Sequence, residues 1–204
     1  GLTGILRNAI RKELQNVDGM MPVEVVSYDR ATNRATVKHP VQMQGSNGEK
    51  VDRAPISSIR VQQPGNAAFS ISLPIKAGDK GWILAADRDM SIFQQDLDTP
   101  NAPNTRRQHS FQDGLFMPDA VGLGDVPGGG AEADRVVIGA NGGSAFLSFD
   151  EAGLYFTAPG VTISITAAGV EITGPAVTHN GTNIGDTHVH GGITPGGAFT
   201  AVPS

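Results

Sequence analysis

Residues 153–168 read GLYFTAPGVTISITAA, and residues 169–184 read GVEITGPAVTHNGTNI. A shift of sixteen residues aligns the two segments, with Gly153 on Gly169, Leu154 on Val170, Phe156 on Ile172, Thr157 on Thr173, Pro159 on Pro175 and Val161 on Val177. In both segments apolar and polar residues alternate, which places them on opposite sides of an extended strand. The apolar side holds Leu154, Phe156, Val170 and Ile172, and the polar side holds Tyr155 and Glu171. Repeats of this kind mark stacked units that do not bury their apolar side alone.

This repeated segment favours association of identical chains. One chain alone leaves an apolar face and two unpaired strand edges in water, which promotes aggregation. Three chains wound about one axis pair those edges and enclose the apolar face, with glycine and proline at the corners. We therefore predict an intertwined trimeric, triple-stranded β-helix over residues 135–184. A single-chain β-sandwich is the alternative, but about 45 strand-forming residues make a poor independent core.

The sequence before the repeat predicts an N-terminal helix, a barrel and a connector. Residues 1–20 carry apolar residues at spacings of three and four, as in an amphipathic helix, and Gly19 and Pro22 end it. Residues 21–120 contain short strands separated by turn residues, which predicts a small closed β-barrel. The five-stranded OB-fold is the leading candidate and an SH3-like barrel the alternative. Residues 121–134 are rich in glycine, as expected of a connector.

Individual elements of the barrel follow from local patterns. Strands are expected at residues 23–28, 34–39, 56–62, 67–72 and 82–86, because these runs combine β-branched or aromatic residues with flanking turn residues. A short helix is expected at residues 90–97. The predicted class is therefore all-β, with a short N-terminal helix, an OB-fold barrel and a trimeric β-helical needle.

Composition argues against several functions. The chain has a formal charge of −5, and its Lys and Arg residues form no run, so nucleic acid is an unexpected partner. It contains no cysteine, and any metal must be bound through His or oxygen. Asp150 and Glu151 are adjacent and are expected on opposite faces of a strand, which disfavours glycosidase chemistry. We find no set of residues that predicts an enzyme or a small-molecule substrate.

Two of the five histidines form a motif. His188 and His190 are two residues apart in a predicted extended stretch, so both imidazoles point to one face. Three chains would supply six nitrogen ligands, an octahedral shell that suits iron better than zinc, with nickel or cobalt as substitutes. Such a filled shell would be structural, not catalytic. The alternative is a pair of exposed turn histidines, or an adventitious metal binder. His39 and His109 are expected to be structural or solvated. His179 is expected to cap a turn or to pack on the trimer, with contact to an ion as the less favoured alternative.

Several stretches resemble the central spike proteins of contractile-tailed phages. The closest likeness is GDTHVHGGI at residues 185–193, followed by PGG at residues 195–197. Residues 74–81, 87–89 and 107–110 are similar to the family's OB-fold domain. The likeness covers residues 21–203, and no lysozyme-like module lies between barrel and needle, which indicates a short, non-enzymatic member.

The resemblance implies a function. Residues 185–204 would be the needle apex, where His188 and His190 of three chains hold one iron ion. The homotrimer would be assembled in the host cytoplasm, attach to a hub protein at the baseplate tip of the virion, and be pushed into the host outer membrane when the tail contracts. A receptor-binding tail fibre, or a tip protein of a related contractile secretion system, is the alternative function. A metal-dependent hydrolase and an OB-fold nucleic-acid binder are disfavoured.

Overall fold

A computed structural model describes residues 1–14, 17–45, 47–66, 68–96, 99–120, 132 and 134–185. The chain divides into two compact units, Gly1–Gly122 and Leu123–Ser204. The first contains the helix and a barrel, and the second contains an antiparallel sheet and a hairpin.

Five strands of the first unit close into a barrel. These are β1 (Met20–Asp29), β2 (Arg34–Lys38), β5 (Ile56–Val61), β6 (Lys80–Ala86) and β7 (Ser110–Pro118), in the order β1-β2-β5-β7-β6. Every pair of neighbours is antiparallel except β5 and β7, which are parallel. This confirms the predicted five-stranded barrel, and the strand order is the one expected of an OB-fold. Two short strands, β3 (Met43–Gln44) and β4 (Lys50–Val51), form a separate ladder.

The barrel core draws on all five strands. Nine buried apolar residues form it: Val23, Val25, Ala35, Val37, Ile59, Val61, Ile83, Phe111 and Phe116. They alternate along β1, β2 and β5 with residues that face outward, as a closed sheet requires. Gly81 permits the closest approach of β6 to β7, because a Cβ at that position would collide with the Phe116 ring and the Met117 carbonyl. The core therefore depends on the small residue at position 81.

The predicted N-terminal helix is confirmed as α1 (Leu2–Leu14). All of its residues are exposed, including the apolar side chains of Leu2, Ile5, Leu6 and Ile10. No helix in the described part of the chain has both the length and the apolarity needed to cross a membrane.

Two local expectations for the barrel are wrong, and one strand was not predicted. Among residues 68–72 there is no strand; a single bridge joins Gly65 to Ser70, and Phe69 and Ile71 are exposed. Residues 91–95 form successive turns instead of a helix, although the Gln94 amide donates to the Met90 carbonyl as in a helical turn. Strand β7 was not expected, since its sequence includes the turn-like pair Asp113-Gly114.

The second unit contains a five-stranded antiparallel meander. Its strands are β8 (Val136–Gly139), β9 (Phe146–Phe149), β10 (Gly153–Ala158), β11 (Val161–Thr166) and β12 (Gly169–Thr173), in the order β12-β11-β10-β9-β8. A hairpin of β13 (Thr178–His179) and β14 (Thr182–Asn183) follows. The structure is of one chain, so the predicted intertwining with two further chains stays a prediction.

Candidate functional site

The candidate site is one side of the five-stranded sheet, which we call the apolar face. Residues paired directly across neighbouring strands share a side, so the register assigns each residue to a face. The apolar face comprises Val136, Ile138, Leu147, Phe149, Leu154, Phe156, Ala158, Val161, Ile163, Ile165, Val170 and Ile172. Every member is an aliphatic or aromatic hydrocarbon side chain. The alternation predicted for Leu154, Phe156, Val170 and Ile172 thus extends across all five strands.

Most of this apolar face is accessible to solvent. Eight of its large side chains are 37% to 67% exposed: Val136, Ile138, Phe149, Phe156, Val161, Ile165, Val170 and Ile172. Strand spacing of about 4.8 Å and a rise of about 3.3 Å per residue give the face a projected area of roughly 350 Å². Apolar patches of several hundred Å² on soluble proteins usually mark interaction sites. The arrangement therefore points to a partner surface.

The opposite side of the same sheet is polar and is stabilised from within the chain. The Arg135 guanidinium forms ion pairs with Glu132 (2.7 Å) and Asp150 (2.8 Å), and its central carbon lies 3.9 Å from the centroid of the Tyr155 ring. Ser148 is 1% exposed, and its hydroxyl donates to the Glu132 carboxylate. Because the chain satisfies this side itself, the apolar face is the one left for other molecules.

The position of Asp150 corrects one expectation. Asp150 and Glu151 lie in the turn between β9 and β10, not on opposite faces of a strand. The Asp150 carboxylate accepts hydrogen bonds from Arg135 and from the backbone amides of Ala152 and Gly153. These hydrogen bonds, with Arg135 the strongest, hold the pKa of Asp150 below its ordinary value. Asp150 thus closes a turn and pairs with a cation.

A second polar cluster lies in the barrel, where two of the quoted sequence stretches meet. Arg107 donates two hydrogen bonds to Asp113, from Nε (2.6 Å) and Nη2 (2.9 Å), and Nη2 also lies 3.4 Å from Asp89. The side chains of Asp89 and Asp113 are 1% and 4% exposed. Hydrogen bonds from Ser91 and Thr105, more than the charge of Arg107, hold the pKa of Asp89 far below its ordinary value. This cluster fixes the loop between β6 and β7.

The histidines occupy separate places. His188 and His190, the predicted metal ligands, lie outside the described residues. His39 is 9% exposed and its ring centroid is 5.1 Å from that of Phe111. His109 is partly exposed, with Nδ1 3.6 Å from Asp87, and His179 is exposed in β13. Within the described residues no group of three or more His, Asp or Glu could hold a metal ion in one chain.

Part of the apolar face was not predicted from the sequence. No strand was expected at residues 136–139 or 146–149, although Val136, Ile138, Leu147 and Phe149 continue the apolar alternation. These strands lie outside the sixteen-residue repeat, so their period-two pattern was the only signal. The Asp89–Arg107–Asp113 cluster had no signal of its own, because its members are distant in sequence.

Fold and site together define a class: a modular all-β protein in which a closed five-stranded barrel precedes a sheet unit with an open apolar face. Residues 21–119 match the family model of the phage protein Gp138 N-terminal domain. The matched residues span the barrel strands from Met21 to Pro118. The match supports the resemblance to phage tail spike proteins and indicates a phage structural protein of the tail or baseplate, associated with the virion. No curated protein matches the chain.

Proposed function

We propose that the chain is the central spike of a contractile phage tail, a homotrimer that pierces the host outer membrane and carries one iron ion at its tip. The observation that supports this most is the exposed apolar face of the C-terminal sheet. The family match of the barrel adds the phage context. Attachment through the barrel to a baseplate hub protein, and assembly in the host cytoplasm, belong to the same proposal.

Three copies account for the face better than one. Burying its side chains between copies removes from water the apolar surface that a single chain exposes. The outermost strands, β8 and β12, each have a neighbour on one side only within the sheet, and such edges are liable to further pairing. A face-to-face pair would also cover the apolar face. We favour three copies because two histidines per chain give six ligands only in a trimer.

The sequence repeat supports the direction of those ligands. A further shift of sixteen residues aligns Ile172 with His188 and Gly174 with His190. Ile172 belongs to the apolar face. If the period continues, His188 takes a position equivalent to one on the apolar face, and His190 lies two residues further along the same predicted extended stretch.

The donor set fits a structural iron ion. His188 and His190 of three chains would hold it through six imidazole nitrogens, and a borderline metal with octahedral preference suits that set. When bound, the ion links three chain ends. With all six positions filled by protein there is no open position for water or substrate, so the proposed role is structural and the protein is no enzyme.

The sparse charge of the C-terminal unit suits entry into a membrane. The sequence after Arg135 contains no Lys or Arg, and its acids are Asp150, Glu151, Glu171 and Asp186. A rod with few charged groups has a smaller desolvation cost on entering hydrocarbon than a typical protein surface. With the apolar face inside, the outward side is rich in hydroxyl residues such as Thr157, Thr162 and Ser164.

The test combines metal content by plasma mass spectrometry with mass by light scattering. We expect the purified protein to be a trimer with one iron per three chains. The double variant His188→Ala/His190→Ala should stay trimeric and lose the iron, because the apolar face still associates. His109→Ala, which changes a barrel histidine, is the matched control and should keep the iron. An iron-replete double variant, or a monomeric wild-type protein, would overturn the proposal.

A further inference from the structure

A cavity of about 470 Å³ lies on the barrel beside the loop that joins β6 to β7. Its walls come from that loop, from the first residues of β2 and β7, and from the start of β5 with the residues before it. In chain order β2 and β5 are the second and third barrel strands, and β6 and β7 are the fourth and fifth. Five-stranded OB barrels bind oligosaccharides and oligonucleotides at the face of the second and third strands and the loop between the last two. The cavity therefore lies where this architecture holds a ligand in other proteins.

The half-buried Arg34 guanidinium lines this cavity and has no acidic partner. Its Nη1 donates to the Ser58 carbonyl at 2.6 Å, and its Nη2 donates to the Gln94 amide oxygen at 2.8 Å. Within the described residues it forms no ion pair at 4.0 Å or less, whereas Arg107, the other guanidinium at the cavity, pairs with Asp113. An arginine carries five N–H donors, and these two bonds leave three of them for a ligand. The cavity thus presents an oriented positive charge that a ligand anion can neutralise.

Two glutamines add further donors. The Gln94 amide oxygen accepts from Arg34, and the Gln112 amide oxygen accepts from Arg107 Nη1 at 3.3 Å. Both amide oxygens are therefore engaged, while neither NH₂ group donates to another of the described residues. A ligand for this cavity is therefore rich in acceptors, with a carboxylate for Arg34 and hydroxyl oxygens for the two amides.

The backbone at Ser58 is strained where it meets Arg34. Ser57 and Ser58 of β5 lie opposite one residue of β2, Thr36, which makes a β-bulge. Ser58 has a φ of 61°, in the left-handed region that residues other than glycine seldom adopt. Bulges and strained residues cluster at binding sites, where they re-aim side chains and backbone groups. Here the bulge directs the Ser58 carbonyl to the guanidinium and fixes it at the cavity.

The rest of the lining favours a sugar over a nucleotide. Ala54, Pro55 and Ile56 form an apolar wall that suits the C–H face of a sugar ring. None of the described lining residues is aromatic, so a nucleobase has no stacking partner, and the formal charge of −5 disfavours a phosphate backbone. A cavity of this size is typical of small-ligand sites.

We propose that this cavity binds an acidic sugar, a pyranose that carries a carboxylate. The carboxylate binds Arg34, and the ring hydroxyls accept from Gln94 and Gln112. One chain supplies every group, so the site needs no second copy and does not rest on the proposed spike function.

Calorimetric titration of the full chain with galacturonic acid tests the site. We expect a dissociation constant on the order of 1 mM, from the binding efficiency usual for small ligands. Galactose lacks the carboxylate and acetate lacks the hydroxyls, so each should bind at least about tenfold more weakly. Arg34→Gln should weaken galacturonic acid roughly 10- to 100-fold, because hydrogen bonds between charged groups are lost. Arg30→Gln, the same change at an exposed turn residue outside the cavity, is the matched control and should bind like the wild type.

A second variant and a second probe complete the experiment. Ser57 is exposed at the cavity, so Ser57→Tyr should block it and leave the hydrogen bonds of Arg34 in place, even if Arg34→Gln fails to fold. A galacturonic acid tetramer distinguishes a polysaccharide, which should bind more tightly than the monomer, from a free sugar, which should bind equally; either result supports the site.

Several results would overturn the proposal. These are a wild-type protein that does not bind galacturonic acid, acetate that binds as tightly as the sugar acid, and undiminished binding to Ser57→Tyr or to folded Arg34→Gln. Binding of an oligothymidylate in place of galacturonic acid would assign the cavity to nucleic acid instead. A monomeric protein would overturn the spike proposal and leave this site intact.

Discussion

Replacing Ile172 by Ala tests whether the apolar face is buried between copies. Ile172 is 49% exposed in the single chain, so about half of its transfer free energy remains to be gained in a trimer. Full burial of such a side chain contributes about 1.5–3 kcal/mol, which leaves roughly 0.7–1.5 kcal/mol per chain. The substitution in all three copies should therefore reduce the association free energy of the trimer by about 2–4 kcal/mol. The trimer dissociation constant should therefore rise roughly 30- to 1000-fold.

The assay is sedimentation equilibrium over a dilution series, with the midpoint of trimer dissociation as the readout. Glu171→Ala is the matched control, because Glu171 neighbours Ile172 in β12 but lies on the opposite side of the sheet. We expect the control to shift the midpoint by less than about 0.5 kcal/mol, as surface substitutions do. Equal midpoints for Ile172→Ala and Glu171→Ala would refute burial of the apolar face.

Two further predictions concern the barrel, and urea unfolding measures both. Arg107→Ala should lower the free energy of unfolding by about 3 kcal/mol, because it leaves the buried carboxylates of Asp89 and Asp113 without their cation. Arg106 is an exposed neighbour, so Arg106→Ala is the control and should have little effect. Burial, aided by the charge of Arg53, lowers the pKa of His39 below its ordinary value of 6.5. The folded ring therefore binds fewer protons than the unfolded one, and stability should fall as pH drops below about 6.5. His39→Gln should flatten this dependence, and an unchanged slope would contradict it.

Local sequence pattern predicted four of the five barrel strands, which are β1, β2, β5 and β6. The hairpin of β1 and β2 is an example, because Asp29 accepts hydrogen bonds from the Ala31 amide and the Thr32 hydroxyl in the turn between them. Strand β7 shows the limit. Its Asp113-Gly114 pair is typical of a turn, yet Arg107 neutralises Asp113 and β5 pairs with the strand, so tertiary contacts override the local preference.

The wrong strand at residues 67–72 has the converse cause. Phe69, Ile71 and Leu73 alternate with serines as in a half-buried strand, but the described residues 68–72 have a single bridge partner, Gly65. Alternation of apolar and polar residues predicts a strand only where a second strand is available to form the hydrogen-bonded ladder. In the repeated segment of the second unit that ladder is present, so its alternation marked real strands, whereas the alternation at residues 67–72 was misleading.

The proposed iron site lies beyond the last strand of the apolar face in the sequence. Through β10, β11 and β12 the positions on the apolar face are filled by hydrocarbon side chains, so the interior of a trimer would be dry and hold no ion. His188 and His190 follow β12 in the sequence, and a shift of sixteen residues aligns Ile172 of the apolar face with His188. A histidine at the position equivalent to Ile172 would replace apolar packing on the threefold axis by metal ligation. The proposed ligands would thus follow the end of the apolar sheet, where an ion would link three chain ends.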